Sequence, residues 1–560
     1  MNARLLPAWA VALALWLTLM LGPVRFSSRD NIPAQLLTES LLSGHGFDLS
    51  SFDPSSLPRD SKEILWSGDR LVTRFPVIHA VVALPLALGV RALEPELDPA
   101  ERSRITGRAA GSLFVAAALG VTYTILLRLT SPASSLALTL GAAFASPLYS
   151  VASRELWNHG PAALLLAAIV WLSFRTGRGA SFGGAACVAT TYFVRHAALV
   201  PAAVLFLLLH RRALAGSDRR SFVWATLGGC VAAAAPLALL NLAAMGDPIG
   251  GYAPLQMFQY SWGLPSPEAF LAYLVSPARG MMWFAPITLP AVVGLRWAHR
   301  RPESRLAWAC LAAVVTAMIQ ITSYGPWWGG WAFGPRMMTE YVPLLAVVAA
   351  FCPPRLIALG CALCAPVAAI HTAYAFKGGH SWDERRQIDR NPAAVWDVRD
   401  SPFTDLILGP PRPDPAAFDP RGLLLPAGIH EISSERPAPW LVYGWEPTES
   451  AGVWAAGNET WLAFSLPGPG RYVLDLSAAA PTVGGMPQRL AIRIEGHEQP
   501  FEHAFRNGLW DYEPVRVEMP YRPGTIVVRM RPALIWFPGH GDVRRCTFFL
   551  RSLSLERLQG

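Results

Sequence analysis

Several residues whose types suit acid–base and phosphate chemistry stand in the short polar stretches between long apolar runs. Asp30 lies in RDNIPAQ, just after the first apolar run. A carboxylate there is a candidate general base for a hydroxyl; the plainer alternative is that Asp30 only caps the helix that Pro33 begins. SRELWNHG carries Arg154, Glu155 and His159, with Glu155 and His159 four apart and able to share a helix face. Arg195 and His196 follow in FVRHAAL, and Arg336 follows WWGGWAFGP. A guanidinium presents paired donors to phosphate oxygens, so Arg154, Arg195 and Arg336 are candidate phosphate ligands, with snorkelling the alternative for Arg336. Tyr252, Tyr260, Trp327 and Trp328, with His159 and His196, are candidates to hold a sugar or a lipid chain. The tryptophans, Trp331 included, fit an interfacial belt as well, and the histidines fit ordinary surface positions. Asp30, Glu155 and His159 together would also serve a divalent cation, Mg or Mn. No glycine-rich phosphate loop stands between a strand and a helix, so nothing points to a nucleotide.

The elements that must position these residues are mostly membrane helices. Hydrophobic residues make up 52% of the 560 and charged residues only 15%, against about 25% charged in an ordinary soluble domain. Apolar runs recur up to residue 375 and then stop. The expected spans are 5–24, 106–128, 133–150, 159–174, 180–194, 196–210, 221–245, 281–297, 305–323, 336–352 and 355–375, eleven in all. The first run is long enough to be a retained anchor rather than a cleaved signal. The net charge of +8 is carried almost wholly by arginine, with Lys62 and Lys377 the only lysines. The arginines cluster between apolar runs, which suits membrane orientation and not nucleic acid. If 75–91, short and carrying Pro76 and Pro85, is interfacial or re-entrant, Arg128 and the clusters at 175–178, 211–220 and 296–305 all fall inside. The expectation is then a cytoplasmic N-terminus, a long external loop 25–105 and a C-terminal part outside. Within that loop, Leu36, Leu37 and Leu41 line one side of an amphipathic helix expected to lie on the membrane and to end at Gly44. The segments 180–194 and 196–210 form a hairpin with Arg195 and His196 at its tip.

Residues 376–425 read as a linker or irregular lead-in, rich in Pro, Gly and Asp. From 426 to 560 short runs alternate with period two: WLVYGW, TWLAFSL, RYVLDLS, RLAIRIEG, PVRVEM, TIVVRM and CTFFLRSLSLE. That pattern predicts an exported antiparallel sandwich, jelly-roll-like in general character. Trp445, Trp454 and Trp461 belong to its core or to a sugar-stacking surface. Six of the seven cysteines lie in apolar segments and Cys546 is alone in the polar part, so no disulfide framework is expected.

The order of the loop motifs resembles the glycosyltransferase C superfamily, in its bacterial branch similar to protein mannosyltransferases and Rgt-type enzymes. The elements are Asp30 followed by SLLSGHG, the FP…P segment at 75–85, SRELWNH, GDPIGGY, SPARGMMWFAP and WWGGWAFGPR. They cover most of residues 1–350. The resemblance implies a polytopic α-helical membrane enzyme of the bacterial cytoplasmic membrane. It also implies a polyprenyl-phosphate-linked sugar as donor, a glycan, lipid or protein as acceptor, and inversion at the sugar carbon. It makes Asp30 catalytic and Glu155 its assistant, although many relatives have Asp at the second place and a second acid beside the first, where this chain has Asn31. The rival readings are a lipid or glycan transporter, and a non-catalytic envelope scaffold whose β domain binds glycan.

Overall fold

Apolar helices and alternating strands fold as two separate units in the computed structural model, Met1–Pro410 and Pro411–Gly560. The structure describes residues 7–22, 29–52, 63–215, 218–252, 261–330, 332–377, 381–386, 388–389, 391–409, 423–434, 438–446, 448–456, 459–482, 487–495, 500–506, 511–534 and 546–558.

The first unit is a multi-pass helical body. Among the described residues, Pro99–Leu126, Arg219–Met245, Ser304–Thr322 and Pro354–Phe376 are long and apolar enough to cross a membrane, and the helical stretch Arg178–Arg211 meets the same length and hydropathy although it is folded back on itself at Arg195. The helices Ala8–Leu19 (α1), Pro132–Phe144 and His159–Leu172 stand where fuller spans are expected and are shorter. Proline accounts for the largest departures, because it removes an N–H and clashes with the preceding turn. Expected span 281–297 is broken around Pro286 into Met281–Phe284 and Thr288–Ala298. Expected span 133–150 stops at Phe144, and past Pro147 the chain takes a π turn, Leu148–Ala152. Expected span 336–352 opens as a 3-10 turn, Arg336–Tyr341, and becomes α-helical only over Val342–Ala349.

The helix Arg178–Arg195 is turned back on Leu199–Ala215 at Arg195, whose backbone is extended (φ −157°, ψ 91°). The two pack antiparallel, so that a Cβ on Gly184 would meet the Phe206 ring at 2.8 Å.

The helix Ile32–Leu42 (α2) departs from expectation. It packs against Ile78–Leu93 (α3) and Pro99–Leu126 (α4) instead of lying on a surface. Its polar side is buried too, and Glu39 accepts from Nε and Nη2 of Arg102 at 3.2 and 3.1 Å. An antiparallel hairpin, Ile64–Ser67 (β1) with Arg70–Thr73 (β2), turns on Gly68 (φ +66°) and had no counterpart in the sequence reading. The start of α4 follows local rules: Pro99 is its first residue and the Asp98 side chain accepts from Ala100 N–H.

The described residues between 381 and 409, expected to belong to the lead-in 376–425, pack into the first unit. The reason is visible in their side chains: Trp382, Ile388 and Val395 are buried with Ala272 and Ala278, and Phe403 stacks near Phe284 and Phe333.

The second unit is a sandwich of two five-stranded antiparallel sheets, numbered here with β3 Gly428–Glu431, β4 Leu441–Tyr443, β5 Val453–Ala456, β6 Thr460–Ser465, β7 Arg471–Ala479, β8 Arg489–Ile494, β9 Phe501–Ala504, β10 Glu513–Pro520, β11 Thr525–Pro532 and β12 Cys546–Leu558. One sheet runs β10-β7-β12-β3 with β5 also paired to β12, and the other runs β4-β6-β11-β8-β9. Alternate residues such as Tyr472, Leu474 and Leu476 on β7 and Val515, Val517 and Met519 on β10 fill the core between them. Trp454 and Trp461 are buried, and the half-buried Trp445 donates its indole N–H to Trp461 O at 2.9 Å. The strands expected from alternation are all present, and β3, β5 and β9 are additions.

Candidate active site

Four short breaks in helical structure bring the candidate residues together in the first unit. These are the turn Arg29–Asn31 ahead of α2, the segment 153–158 between the π turn and the helix His159–Leu172, the corner at Arg195, and the 3-10 turn Arg336–Tyr341. Each break frees backbone from its helix and turns one or two polar side chains toward the others.

Asp30 is not at the N-cap position of α2. The N-cap position is Asn31, which makes no side-chain cap bond, and the Asp30 carboxylate accepts from Arg336 Nη1 at 3.3 Å. This pair is the accessible end of the cluster, with side chains 32% and 16% exposed. The Arg336 guanidinium also lies over the Trp157 ring, 4.9 Å from its centroid, and Trp157 and His159 have ring centroids 5.5 Å apart.

The other end is sealed. Glu340 is fully buried and receives two partners: His159 Nδ1 at 2.7 Å and Arg195 Nε in a charged contact. Arg195 Nη1 reaches toward Asn158 Oδ1 at 3.4 Å. A carboxylate this deep is tolerable because both its oxygens are engaged and a guanidinium balances its charge.

Glu155 and His159 do not share a helix face, because residues 153–158 form turns and the helix begins only at His159. Glu155 accepts instead from Asn31 Nδ2 at 2.8 Å. Its backbone is pressed onto α4, where a Cβ on Gly111 would fall 2.0 Å from Glu155 O. Arg154, Glu155 and His159, expected at an outer surface, are all buried. Arg154 is directed elsewhere: it donates to Leu21 O at 3.2 Å and Ala375 O at 3.1 Å, satisfying carbonyls past the end of α1 and near the end of the helix Pro354–Lys377.

The aromatic candidates divide. The His196 and Tyr252 rings lie 5.3 Å apart, and Tyr252 packs on Phe75 at 4.7 Å. Trp327 and Trp328 are committed to packing against the 381–397 segment, with Trp327 O accepting from Tyr273 hydroxyl at 2.6 Å and Trp328 Nε1 donating to Asp389 Oδ1 at 2.7 Å. Tyr260 and Trp331 lie outside the described residues. Among the described residues no group of three or more His, Cys, Asp or Glu side chains is arranged to hold a metal ion; Asp30, Glu155 and His159 each face a different partner.

Three residues absent from the sequence reading carry much of this order: Glu340, Arg279 and Asp383. Glu340 had a signal, since it is an ionisable residue inside an expected span. Arg279 and Asp383 form a buried ion pair beneath the turn that leads to Arg336. Burial pushes the Asp383 carboxyl up to about 6, against the pull of Arg279.

No family model matches this chain, and no curated protein does. Among solved structures it is similar to the C-terminal CBM6 of LamC, a marine laminarinase from Zobellia galactanivorans, at 15% identity and TM-score 0.17, covering 23% of this chain and 100% of that one. ArnT from Cupriavidus metallidurans in the apo state matches at 15% identity and TM-score 0.41, covering 72% of this chain and 73% of that one. ArnT from the same organism bound to undecaprenyl phosphate matches at 17% identity and the same TM-score, over 72% of this chain and 75% of that one.

Proposed function

We propose that the chain is a glycosyltransferase of the C superfamily that takes a sugar from a polyprenyl-phosphate carrier and passes it to an envelope acceptor. The half-exposed Asp30–Arg336 pair supports this most directly, since it sets a base and a phosphate-binding cation side by side at the open end of a polar cluster. When the donor phosphate takes the Arg336 guanidinium, the Asp30 carboxylate is released from its partner. It then accepts the proton of an acceptor hydroxyl as that oxygen bonds to the sugar's anomeric carbon. The bond from that carbon to the phosphate oxygen breaks on the opposite side, so the configuration inverts and polyprenyl phosphate departs with the bonding electrons. Arg336 and Arg195 stabilise the charge on the departing phosphate, and His159, oriented by Glu340, adds a hydrogen bond. His196 and Tyr252 line the approach for sugar or lipid. Glu155 holds the Asp30 turn through Asn31. In this reading the body makes eleven passes counting the short and broken helices, with the Asp30 loop on the outer face of the cytoplasmic membrane.

The test is native mass spectrometry of the detergent-purified protein with added undecaprenyl phosphate and its sugar esters, beside a transfer assay. Wild type is expected to hold the lipid. Arg336→Ala is expected to hold it at least about tenfold more weakly, the worth of a charged hydrogen bond. Asp30→Asn is expected to keep the lipid and lose transfer. A wild-type protein that carries only bulk phospholipid would sink the donor assignment.

A further inference from the structure

The described residues of the turn that leads to Arg336 are rich in glycine. Gly329, Gly330 and Gly334 all have positive φ, of +78°, +65° and +85°, and such a glycine-rich stretch has much conformational freedom to lose. Its backbone is instead tied down from outside. Arg279, which has no solvent exposure, donates from Nε to Trp328 O at 2.8 Å and from Nη2 to Gly330 O at 3.0 Å. The same guanidinium pairs with Asp383, whose other oxygen accepts Ala332 N–H at 3.1 Å. Trp328 Nε1 reaches Asp389. One carboxylate on the 381–409 segment therefore joins that segment, Arg279 and the turn. A Cβ added to Gly330 would lie 3.3 Å from Arg336 Nη2, so the backbone that Arg279 holds runs close beside the guanidinium that meets Asp30.

The segment is braced within itself, where Trp382 donates to Asp400 O at 2.8 Å and Arg386 pairs with Asp397 and Asp400. It is tied to the helical unit by Trp396, whose indole N–H donates to Glu268 at 3.2 Å. Phe403 packs 4.2 Å from Phe284, whose ring lies against Gly334.

We propose that residues 381–409 are a strap across the glycine-rich turn, and that Arg279 and Asp383 are positioning residues that set Arg336 for a phosphate. The phosphate part rests on the function proposed above; the strap itself does not. Because both residues act through Arg336, their loss and the loss of Arg336 are not independent.

The test uses the full chain in detergent. Amide hydrogen exchange over 326–336 is followed in wild type and Asp383→Asn, and undecaprenyl phosphate binding is titrated in Asp383→Asn, Arg279→Lys, Arg336→Ala and the Asp383→Asn/Arg336→Ala double variant. Asp383→Asn keeps the size of the side chain and loses its charge; Arg279→Lys keeps the charge and loses the fork. Exchange in the turn is expected to rise at least about tenfold in Asp383→Asn, from loss of a charged anchor. Each single variant is expected to weaken the lipid at least about tenfold, and the double no further than Arg336→Ala. Unchanged exchange in the turn would overturn the strap. Additive losses in the double variant would overturn action through Arg336. If exchange rises but Arg336→Ala binds the lipid as wild type does, the positioning role toward a phosphate is overturned with the donor assignment, while the strap stands.

Discussion

Replacing Glu340 with Gln tests the buried end of the cluster. Glu340 has no solvent exposure, and Arg195 beside it is 7% exposed. The glutamine keeps the volume but removes the charge that balances the Arg195 guanidinium, and one of its two polar atoms becomes a donor facing His159 or Arg195. Breaking one partner of a buried pair costs about 3–5 kcal/mol, a large share of the about 5–15 kcal/mol that holds an ordinary domain. The measurement is reversible unfolding by SDS in mixed micelles, read by tryptophan fluorescence. The comparison set is wild type, Glu340→Gln, and the double variant Arg195→Met/Glu340→Leu, which removes both charges. The double variant is expected to recover part of that loss, since an apolar pair of similar size often replaces a buried ion pair without loss, while the buried His159 Nδ1 left without Glu340 costs about 1–3 kcal/mol. It is also expected to bind undecaprenyl phosphate poorly while remaining folded, which separates stability from ligand binding. A loss below about 1 kcal/mol in Glu340→Gln, or a double variant no better than the single, would refute the reasoning. Glu340 would then not be an ionised group balancing Arg195.

EDTA is expected to leave transfer unchanged, because Asp30, Glu155 and His159 face Arg336, Asn31 and Glu340 respectively; restoration of EDTA-lost activity by Mg or Mn would count against that. Gly111→Ala is expected to destabilise by at least about 3 kcal/mol, the upper end of ordinary overpacking, since its Cβ would meet backbone oxygen at 2.0 Å. Gly89→Ala in α3, with nothing within 4 Å of the added carbon, is expected to stabilise by about 0.5–1 kcal/mol; the same SDS titration reads both. The pH dependence of Asp383 has a defined sign. Its folded carboxyl titrates at about 6 against an ordinary 3.8, so between those values the folded protein binds more protons and stability rises as pH falls through 6. The difference amounts to about 3 kcal/mol, and it should be absent in Asp383→Asn. The groups that face it are Arg279 in contact, with Arg336 and Tyr374 acting at longer range. Lipid binding should move the other way, weakening below pH 6 as the neutral carboxyl loosens Arg279.

What could be read in the sequence followed from periodicity. β7 and β10 declare themselves because Tyr472, Leu474 and Leu476 alternate with exposed or half-exposed neighbours, whereas β3 and β5, four residues each, are too short to show a period. Apolar runs marked where most helices of the first unit lie, but hydropathy is blind to backbone breaks at Pro147, Pro286 and Pro335, of which the first and the last lead into segments of the candidate site. Asp30 and Arg336 were legible because they flank apolar runs. Arg279 and Asp383 were not: they are 104 positions apart, and only the folded 381–409 segment makes them partners. Glu340 could have been found, because a carboxylate in MMTEYVPLL has no place in a membrane span without a buried cation.

The two ion pairs of the cluster differ in a way that assigns them different work. Arg195 and Glu340 are almost wholly removed from solvent, so an incoming anion that took Arg195 away would strand a buried carboxylate, an expensive exchange. Asp30 and Arg336 are partly in water, where such a pair contributes about 0–1 kcal/mol, and a phosphate offering two oxygens to the guanidinium outcompetes one carboxylate oxygen at 3.3 Å. Arg336 is therefore the cation free to change partners. Under the proposed function, Arg195 would be the fixed charge behind it, drawing a phosphate inward without leaving Glu340. Under the proposed function, the exchange at Arg336 would remove that cation from the Asp30 carboxylate as the donor arrives, so the substrate itself would raise the carboxylate's readiness to accept a proton.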